Sequence, residues 1–246
     1  MSADNFLRHC SNPYRVVHKE EQNKLDESEQ FQRRVRYILN RLSPDNNNKL
    51  TIEFLNLPLD SEERLKECIH LIWSKALQDR IYASLYARLC KVMSETRIEL
   101  QFMPDKYISF GTALVKKCQR ELNRDYKSRV DMNMFIDTIK RAGDDCKRKQ
   151  LEDDLEVLLT QARSQFIGNL IFLAELYKLD MVEDNLVLDG IESLFKRVYE
   201  GADENVEFIC KLIGLVAPKL KKSCKTSAFD TNRVIYSLNY SNVNFN

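Results

Sequence analysis

Residues 60–77, DSEERLKECIHLIWSKAL, indicate the fold class because they form the clearest amphipathic helix in the sequence. Its apolar residues recur every three or four positions, at Leu65, Cys68, Ile69, Ile72, Trp73 and Ala76. This spacing places them on one helix face and predicts that the face is buried. Asp60 and Glu63 have capping-box spacing, so we expect the helix to begin at Asp60.

Similar apolar stripes lie on both sides of this segment. Before it, FQRRVRYILNRL (31–42) aligns Phe31, Val35, Ile38, Leu39 and Leu42 on one face. After it, a helix over 81–95 is predicted to turn inward Leu85, Leu89, Val92 and Met93. The same reasoning predicts further helices at 50–57, 107–124, 134–141, 150–179, 182–198 and 205–220, and a short segment at 230–236.

The composition and the rhythm of these helices favour an all-α solenoid. Only 6 Gly and 5 Pro occur in 246 residues, which is few for a sheet protein. Helix pairs recur roughly every 30–45 residues, the spacing of HEAT-like antiparallel pairs, with an irregular helical bundle as the alternative. We expect a loose N-terminal arm at 1–26, one domain at 27–238 and a frayed tail at 239–246.

Charge and cysteine content point to a cytoplasmic protein with no membrane partner. The 38 basic and 37 acidic side chains nearly cancel, so RNA binding would need a local patch. The seven cysteines are scattered, as expected for reduced thiols rather than a secreted disulfide framework. The N-terminus lacks a signal-peptide core, and the most apolar stretch, 166–179, is too short to span a bilayer.

No catalytic motif is present, and we expect neither a cofactor nor a metal. The three histidines form no ligand pair, no Cys/His cluster has zinc spacing, and no phosphate-binding glycine loop or G-x-S-x-G occurs. We therefore predict a non-enzyme. An enzyme stays open as an alternative because catalytic groups can converge from distant positions.

Three basic clusters are candidates for binding. The first helix carries Arg33, Arg34, Arg36 and Arg41, which form either a docking surface for an acidic partner or RNA, or a solvated face. A second cluster is a weak RNA-binding candidate because it lacks aromatic residues that could stack bases: Lys140, Arg141, Lys147, Arg148 and Lys149. The third, Lys219, Lys221, Lys222 and Lys225, also suits a helix C-terminus.

Five blocks identify a family resemblance. FQRRVRYILNRLSP, LPLDSEERLKECIHLIWSKAL, ARLCKVM, LVKKCQREL and SQFIGNLIFLAELYKLDMV, in this order over about residues 29–220, resemble the middle domain of eukaryotic translation initiation factor 4 gamma. The resemblance implies a crescent of about five HEAT-like helix pairs. It also implies an adaptor that braces the DEAD-box helicase initiation factor 4A, binds RNA and, in some members, binds initiation factor 3.

The resemblance also implies helicase-contact residues. Arg36, Leu39 and Leu42 match the family's contact motif on the first helix, and Phe172 matches a second contact. Spacing alone also allows the two leucines and Phe172 to be core residues. Asn47 replaces an aromatic of the motif. In the basic run before the second contact, Arg163 remains, while Ser164 and Gln165 replace basic residues.

The chain departs from the full factor in two further ways. The last helix pair looks shortened, and no tyrosine fits the cap-binding-protein motif, since the fifth residue after Tyr14, Tyr86 and Tyr126 is Lys19, Lys91 and Asp131. We expect a stand-alone or truncated member. The alternatives are a relative acting in poly(A)-protein interaction, RNA decay or nuclear cap binding, or an RNA-binding protein without a helicase partner.

Overall fold

The computed structural model describes residues 27–100 and 103–226 as nine α-helices with one β-hairpin and two short 3₁₀ turns. The helices are α1 (Glu27–Arg41), α2 (Asn47–Leu55), α3 (Glu62–Gln78), α4 (Ala83–Met93), α5 (Phe110–Asn123), α6 (Met132–Arg141), α7 (Asp145–Lys178), α8 (Asp184–Tyr199) and α9 (Asn205–Thr226). Strands β1 (Arg97–Leu100) and β2 (Met103–Ser109) lie between α4 and α5, and the 3₁₀ turns are Arg80–Tyr82 and Tyr126–Arg129.

Neighbouring helices stack along the chain as a solenoid requires. Helix α1 packs on α2 and α3, α3 packs on α4, and α8 packs on α9. The long helix α7 runs through the centre and contacts α3, α4, α5, α6 and α9. This arrangement confirms the prediction of an all-α solenoid-like fold. The predictions for 1–26, for the segment at 230–236 and for the tail at 239–246 lie outside the described residues.

One continuous core joins the helices. All the apolar residues predicted for the inner faces of α1 and α3 are buried. In α4, Leu85, Leu89 and Met93 are buried as predicted, but Val92 is 49% exposed, so its predicted inward position is wrong. Val92 lies next to Met93 in a helix, where adjacent residues point in different directions.

The start of α3 differs by one residue from the prediction. Ser61 is the N-cap, and its side chain accepts a hydrogen bond from the Arg64 amide at 3.2 Å. Asp60 instead forms an ion pair with the Arg64 guanidinium at 2.6 Å. A serine side chain in the cap position satisfies an amide that the first helical turn leaves free.

The hairpin replaces the predicted first turn of α5. The helix was expected to begin at Tyr107, but Tyr107 pairs with Glu99 in the antiparallel ladder, and α5 begins at Phe110. The Phe110 amide donates to the Thr96 carbonyl at 2.9 Å, which closes the hairpin against the helix start. Phe110, Leu114 and Cys118 are buried, so the predicted inner face of α5 is confirmed.

A buried polar side chain ties three helices together. Asn169 of α7 is fully buried, and its Oδ1 accepts a hydrogen bond from Trp73 Nε1 of α3 at 2.8 Å. Its Nδ2 donates to the Cys118 carbonyl of α5 at 3.2 Å. A buried amide with donor and acceptor both satisfied fixes the relative register of the helices that it joins.

None of the helices in residues 27–100 and 103–226 combines the length and the apolar composition that a membrane span requires.

Candidate functional site

The outward face of α1 carries two of the four arginines of that helix. Arg33, Tyr37, Asn40 and Arg41 follow a spacing of three or four residues, so they lie on the side opposite the buried Val35. We call Arg33, Arg34, Arg36, Tyr37, Asn40 and Arg41 the α1 surface. Each of its members is exposed or half-buried.

The arginines of the α1 surface have no carboxylate partner among the described residues. Arg41 instead donates to the Tyr37 hydroxyl and lies 4.9 Å from the centre of the Tyr37 ring. By contrast, Arg64 of α3 pairs with Glu27 at 3.2 Å as well as with Asp60. The described carboxylates therefore do not neutralise the charge of the α1 surface.

The predicted contact residues Leu39, Leu42 and Phe172 are core residues in this structure. Leu39 is 2% exposed, Leu42 is 5% exposed and Phe172 is fully buried. All three belong to the same core cluster, because their apolar side chains point toward neighbouring helices. In this arrangement neighbouring helices cover the three side chains, and Arg36 is the member of the predicted set that reaches the surface.

Arg36 of α1 belongs to a group of cations and aromatic rings that extends across α3 to α5. His70 of α3 stacks on Trp73 with ring centroids 6.4 Å apart, and Lys117 Nζ of α5 lies 4.3 Å from the Trp73 ring centre. Burial lowers the pKa of His70 below its usual value, and the charges of Lys117 and Arg36 lower it further. Glu121 and Glu67 oppose this decrease but do not reverse it.

Arg129, in the 3₁₀ turn after α5, is the last member of this group. Its guanidinium pairs with Glu121 at 2.6 Å and donates to Gln165 of α7 at 3.1 Å. Burial lowers its pKa, and the adjacent Glu121 works in the opposite direction. Because these partners are satisfied within the domain, Arg129 supports the surface beside Trp73 and offers little free charge to a partner.

The second basic cluster lies where α6 ends and α7 begins. Its five cations, Lys140, Arg141, Lys147, Arg148 and Lys149, are all exposed. Arg148 forms an ion pair with Asp145 at 2.8 Å. Within the described residues the other four have no carboxylate at ion-pair distance. The fold thus brings together two short basic runs that are separated in sequence.

Arg163, which the family's basic run retains, and Ser164, which departs from it, both make contacts within the domain. Arg163 pairs with Glu207 of α9, and Ser164 accepts a hydrogen bond from Arg80. The Oδ1 of Asn47 is buried without a hydrogen-bond partner among the described atoms. Arg163 and Ser164 are thus engaged between helices of this domain, so neither is fully available to a partner.

Sequence patterns predicted a surface position for His70, but they did not single out Tyr37 or the contact between Trp73 and Lys117. Tyr37 could have been found, since it lies four residues from both Arg33 and Arg41 and therefore on their face. The group around Trp73 could not, because it joins α3 to α5 and depends on how these helices pack.

A family model for the MIF4G domain matches residues 32–242. The chain belongs to the MIF4G domain family. Eukaryotic translation initiation factor 4 gamma 3 of Mus musculus is 30% identical over 227 residues, which cover 89% of this chain and 14% of that protein. Factor 4 gamma 2 of Oryctolagus cuniculus is 31% identical over 209 residues, covering 80% of this chain and 22% of that protein. The MIF4G chain therefore spans a small part of the length of these relatives.

A solved structure shows the same fold. The MIF4G domain of Trypanosoma cruzi translation initiation factor EIF4G5 superposes with a TM-score of 0.50 at 18% sequence identity. The match covers 76% of this chain and 77% of that one. The resemblance to the middle domain of factor 4 gamma is thus confirmed, together with the helical fold that it implies.

Proposed function

We propose that this MIF4G domain is a non-catalytic scaffold in cytoplasmic translation initiation that docks the DEAD-box helicase initiation factor 4A. The observation that carries the proposal is the α1 surface, where arginines without carboxylate partners lie on the helix that matches the family's helicase-contact motif. The similar proteins are named as translation initiation factors, which supports a role of this chain in translation initiation.

A scaffold of this kind acts by differential binding. A helicase with two mobile lobes exchanges between open and closed arrangements, and a rigid partner shifts the balance toward the arrangement that it binds more tightly. The Asn169–Trp73–Cys118 connection supplies rigidity between α3, α5 and α7. No bond needs to be made or broken by this chain.

In this proposal the predicted residues divide into two groups. Arg36 contacts the helicase together with Arg33, Tyr37 and Arg41. Leu39 and Leu42 are buried, and they hold α1 in position by packing in the core. Phe172 is also buried and has the same structural role in α7. Initiation factor 3, the other protein partner that the resemblance implies, is not assigned a surface.

The test is binding of purified initiation factor 4A to the purified chain by fluorescence anisotropy at physiological salt. Arg33→Glu combined with Arg36→Glu is expected to weaken binding at least tenfold, because it reverses charge at the centre of the contact. Arg88→Glu combined with Arg120→Glu is the matched control, since both arginines are exposed on α4 and α5 and the change in net charge is the same. This control should bind within twofold of the unmodified chain.

Two results would contradict the proposal. In one, the helicase does not bind the unmodified chain. In the other, both double variants lose the same amount of affinity for the helicase. Circular dichroism and thermal melting of each variant separate loss of contact from loss of fold. ATP turnover by the helicase in the presence of the chain then measures whether docking shifts the lobes.

RNA is a second candidate partner, and the cluster at the α6–α7 corner favours it. Neutralising phosphates with four or five exposed cations predicts an RNA affinity that falls steeply with salt. Replacing Lys147, Arg148 and Lys149 by Ala should reduce the slope of log affinity against log salt by about two to three. An unchanged slope would exclude this cluster as the RNA contact.

A further inference from the structure

His70 is an exposed histidine of α3 whose imidazole is held in place by its own helix and by α5. Trp73, about one turn further along α3, stacks against the imidazole with ring centroids 6.4 Å apart. The Trp73 side chain is only 7% exposed, and Lys117 Nζ of α5 lies 4.3 Å from the centre of its ring. His70 therefore reaches the surface beside a cation of the neighbouring helix.

Helix α1 lies along another side of α3 and runs in the same direction. The first residue of α1 pairs with Arg64 of α3 at 3.2 Å, and further along both helices Gln32 donates to Glu67. Because the two contacts advance together along the two chains, the helices are parallel. About one turn beyond the second contact, Arg36 of α1 and His70 of α3 lie at the same level. The imidazole is thus placed between an arginine and a lysine.

The charges around His70 come from all three helices. Four of them act on its imidazole, namely Lys117, Arg36, Glu121 and Glu67. Burial lowers the pKa of His70 most, the two cations lower it further, and the two carboxylates oppose them with smaller effects. On α3 itself, Lys66 lies one turn before His70 and pairs with Glu62. The balance of charge at the imidazole is therefore positive.

Both carboxylates near His70 already have partners within the domain. Glu121 pairs with Arg129 at 2.6 Å and with Lys117 at 3.7 Å, and Glu67 accepts a hydrogen bond from Gln32. Arg36, by contrast, has no carboxylate at ion-pair distance in the part of the chain that the structure describes. An anionic group of another molecule would therefore be attracted to the position between the two cations.

The chain ends outside the described ranges do not offer this negative charge. Acidic and basic side chains balance in residues 1–26, with Asp4, Glu20, Glu21 and Asp26 against Arg8, Arg15, Lys19 and Lys24. They also balance in residues 227–246, with Asp230 against Arg233. Charge complementarity therefore favours a partner over either end of this chain.

We propose that the helicase contact extends from the α1 surface across α3 to α5, and that a carboxylate of the helicase binds at His70 between Arg36 and Lys117. The inference rests on the helicase docking proposed above, and it adds the chemical group that this part of the surface receives. Repeat folds of this kind bind partners along surfaces built from successive helices, and α1, α3 and α5 form such a series.

Docking then takes up a proton. In the free chain the pKa of His70 lies below its usual value of 6.5, so the imidazole is mostly uncharged at pH 7.5. A carboxylate bound beside it favours the charged form and raises that pKa in the complex. The added affinity is complete below the pKa of the free chain and is lost as pH rises through the pKa of the complex.

A phosphate of RNA would meet the same cations, but the ring beside His70 is not available to a base. Trp73 is nearly covered, and its indole N–H already donates to Asn169 at 2.8 Å. Single-stranded RNA draws much of its affinity from bases stacked on exposed rings. Continuity with the α1 surface, where the helicase is proposed to dock, therefore favours a protein carboxylate.

The test is binding of purified initiation factor 4A to the whole chain by fluorescence anisotropy at pH 7.5 and pH 6.0 and constant ionic strength. The unmodified chain is expected to bind about three- to tenfold more tightly at pH 6.0. His70→Gln should bind within about threefold of it at pH 7.5 but lose most of this gain. His70→Arg, charged at both pH values, should bind at pH 7.5 as tightly as the unmodified chain does at pH 6.0.

Calorimetry in two buffers of different ionisation enthalpy counts the protons taken up on docking. At pH 6.5 the unmodified chain should take up more than His70→Gln, and the difference removes the contribution of the helicase's own groups. His9→Gln combined with His18→Gln changes the other two histidines and is the control. This control should take up as many protons as the unmodified chain. Thermal melting at each pH verifies that the variants are folded.

The possible failures are distinguishable. A helicase that binds the unmodified chain at neither pH would overturn this inference together with the proposed function. Helicase binding with the same pH gain and proton uptake in His70→Gln, or a folded His70→Arg that binds no more tightly at pH 7.5, would overturn this inference alone. A 20-nucleotide single-stranded RNA is the second probe. If its affinity depends on His70 and that of the helicase does not, the position belongs to nucleic acid.

Discussion

The two halves of α7 continue one another without a break but have opposite surroundings. Residues 162–177 contain ten buried residues, among them Phe166, Leu170 and Phe172, in the helix that packs against α3, α4, α5 and α9. Residues 145–161 contain none. The comparison teaches that the C-terminal half holds the domain together, whereas the side chains of the N-terminal half stay exposed or half-buried among the described residues.

The first way to sharpen this comparison is cysteine alkylation at pH 8. Cys118, which faces the C-terminal half of α7, is buried, and burial raises the pKa of its thiol to about 12. Cys146, in the N-terminal half, is exposed. Because the thiolate is the reactive form, Cys118 should react with iodoacetamide at least about a hundredfold more slowly than Cys146. Peptide mapping by mass spectrometry reads each cysteine separately, and equal rates would contradict the burial.

The second is truncation of the side chain that the family resemblance marks as a contact. Phe172→Ala should lower the free energy of unfolding by about 3–5 kcal/mol, because it leaves a cavity in the core. Urea unfolding followed by circular dichroism measures this change. Val157→Ala in the other half is the control and should change it by about 0.5 kcal/mol or less. A stable Phe172→Ala chain would contradict the supporting role of Phe172.

The third concerns a close helix contact. A Cβ on Gly168 would lie 2.8 Å from the Leu77 carbonyl oxygen and 3.0 Å from the Leu77 Cα, both of them backbone atoms of α3. Gly168→Ala should therefore destabilise the fold by about 1–3 kcal/mol. Gly143→Ala, just before α7, meets nothing within 4 Å and should be neutral. Trp73, the single tryptophan, reports the change through its fluorescence.

The smallest expected effect is in the N-terminal half of α7. Leu151→Ala should lower the free energy of unfolding by only about 1 kcal/mol, since the leucine is half-buried before the substitution. A loss of 3 kcal/mol or more would show that α6 and the N-terminal half of α7 form a sealed part of the core. Urea unfolding with the same optical probe gives the answer.

The sequence was most informative where periodicity is strong. The inner faces of α1, α3 and α5 were predicted residue by residue, because burial follows the spacing of three and four. The start of α5 was missed, since Tyr107 and Ile108 also suit a helical stripe and only the pairing with β1 makes them a strand. Propensity cannot decide such a segment without its tertiary partner.

The candidate site was less predictable for a similar reason. Spacing put Leu39 and Leu42 on one face of α1 but could not say whether that face meets the core or a partner. The exposed arginines followed from the same periodicity, whereas the absence of carboxylates near them depends on which helices pack against α1. The incomplete burial of the four leucines of residues 145–161 also depends on packing, since leucines at helical spacing predict burial when read alone.

The most direct test of the central claim is hydrogen–deuterium exchange of the chain with and without initiation factor 4A. We predict slower exchange in peptides that cover α1, with little change over α6 and residues 145–161, because docking uses the α1 surface. Slower exchange confined to residues 145–161, or no change in α1 at saturating helicase, would contradict the account.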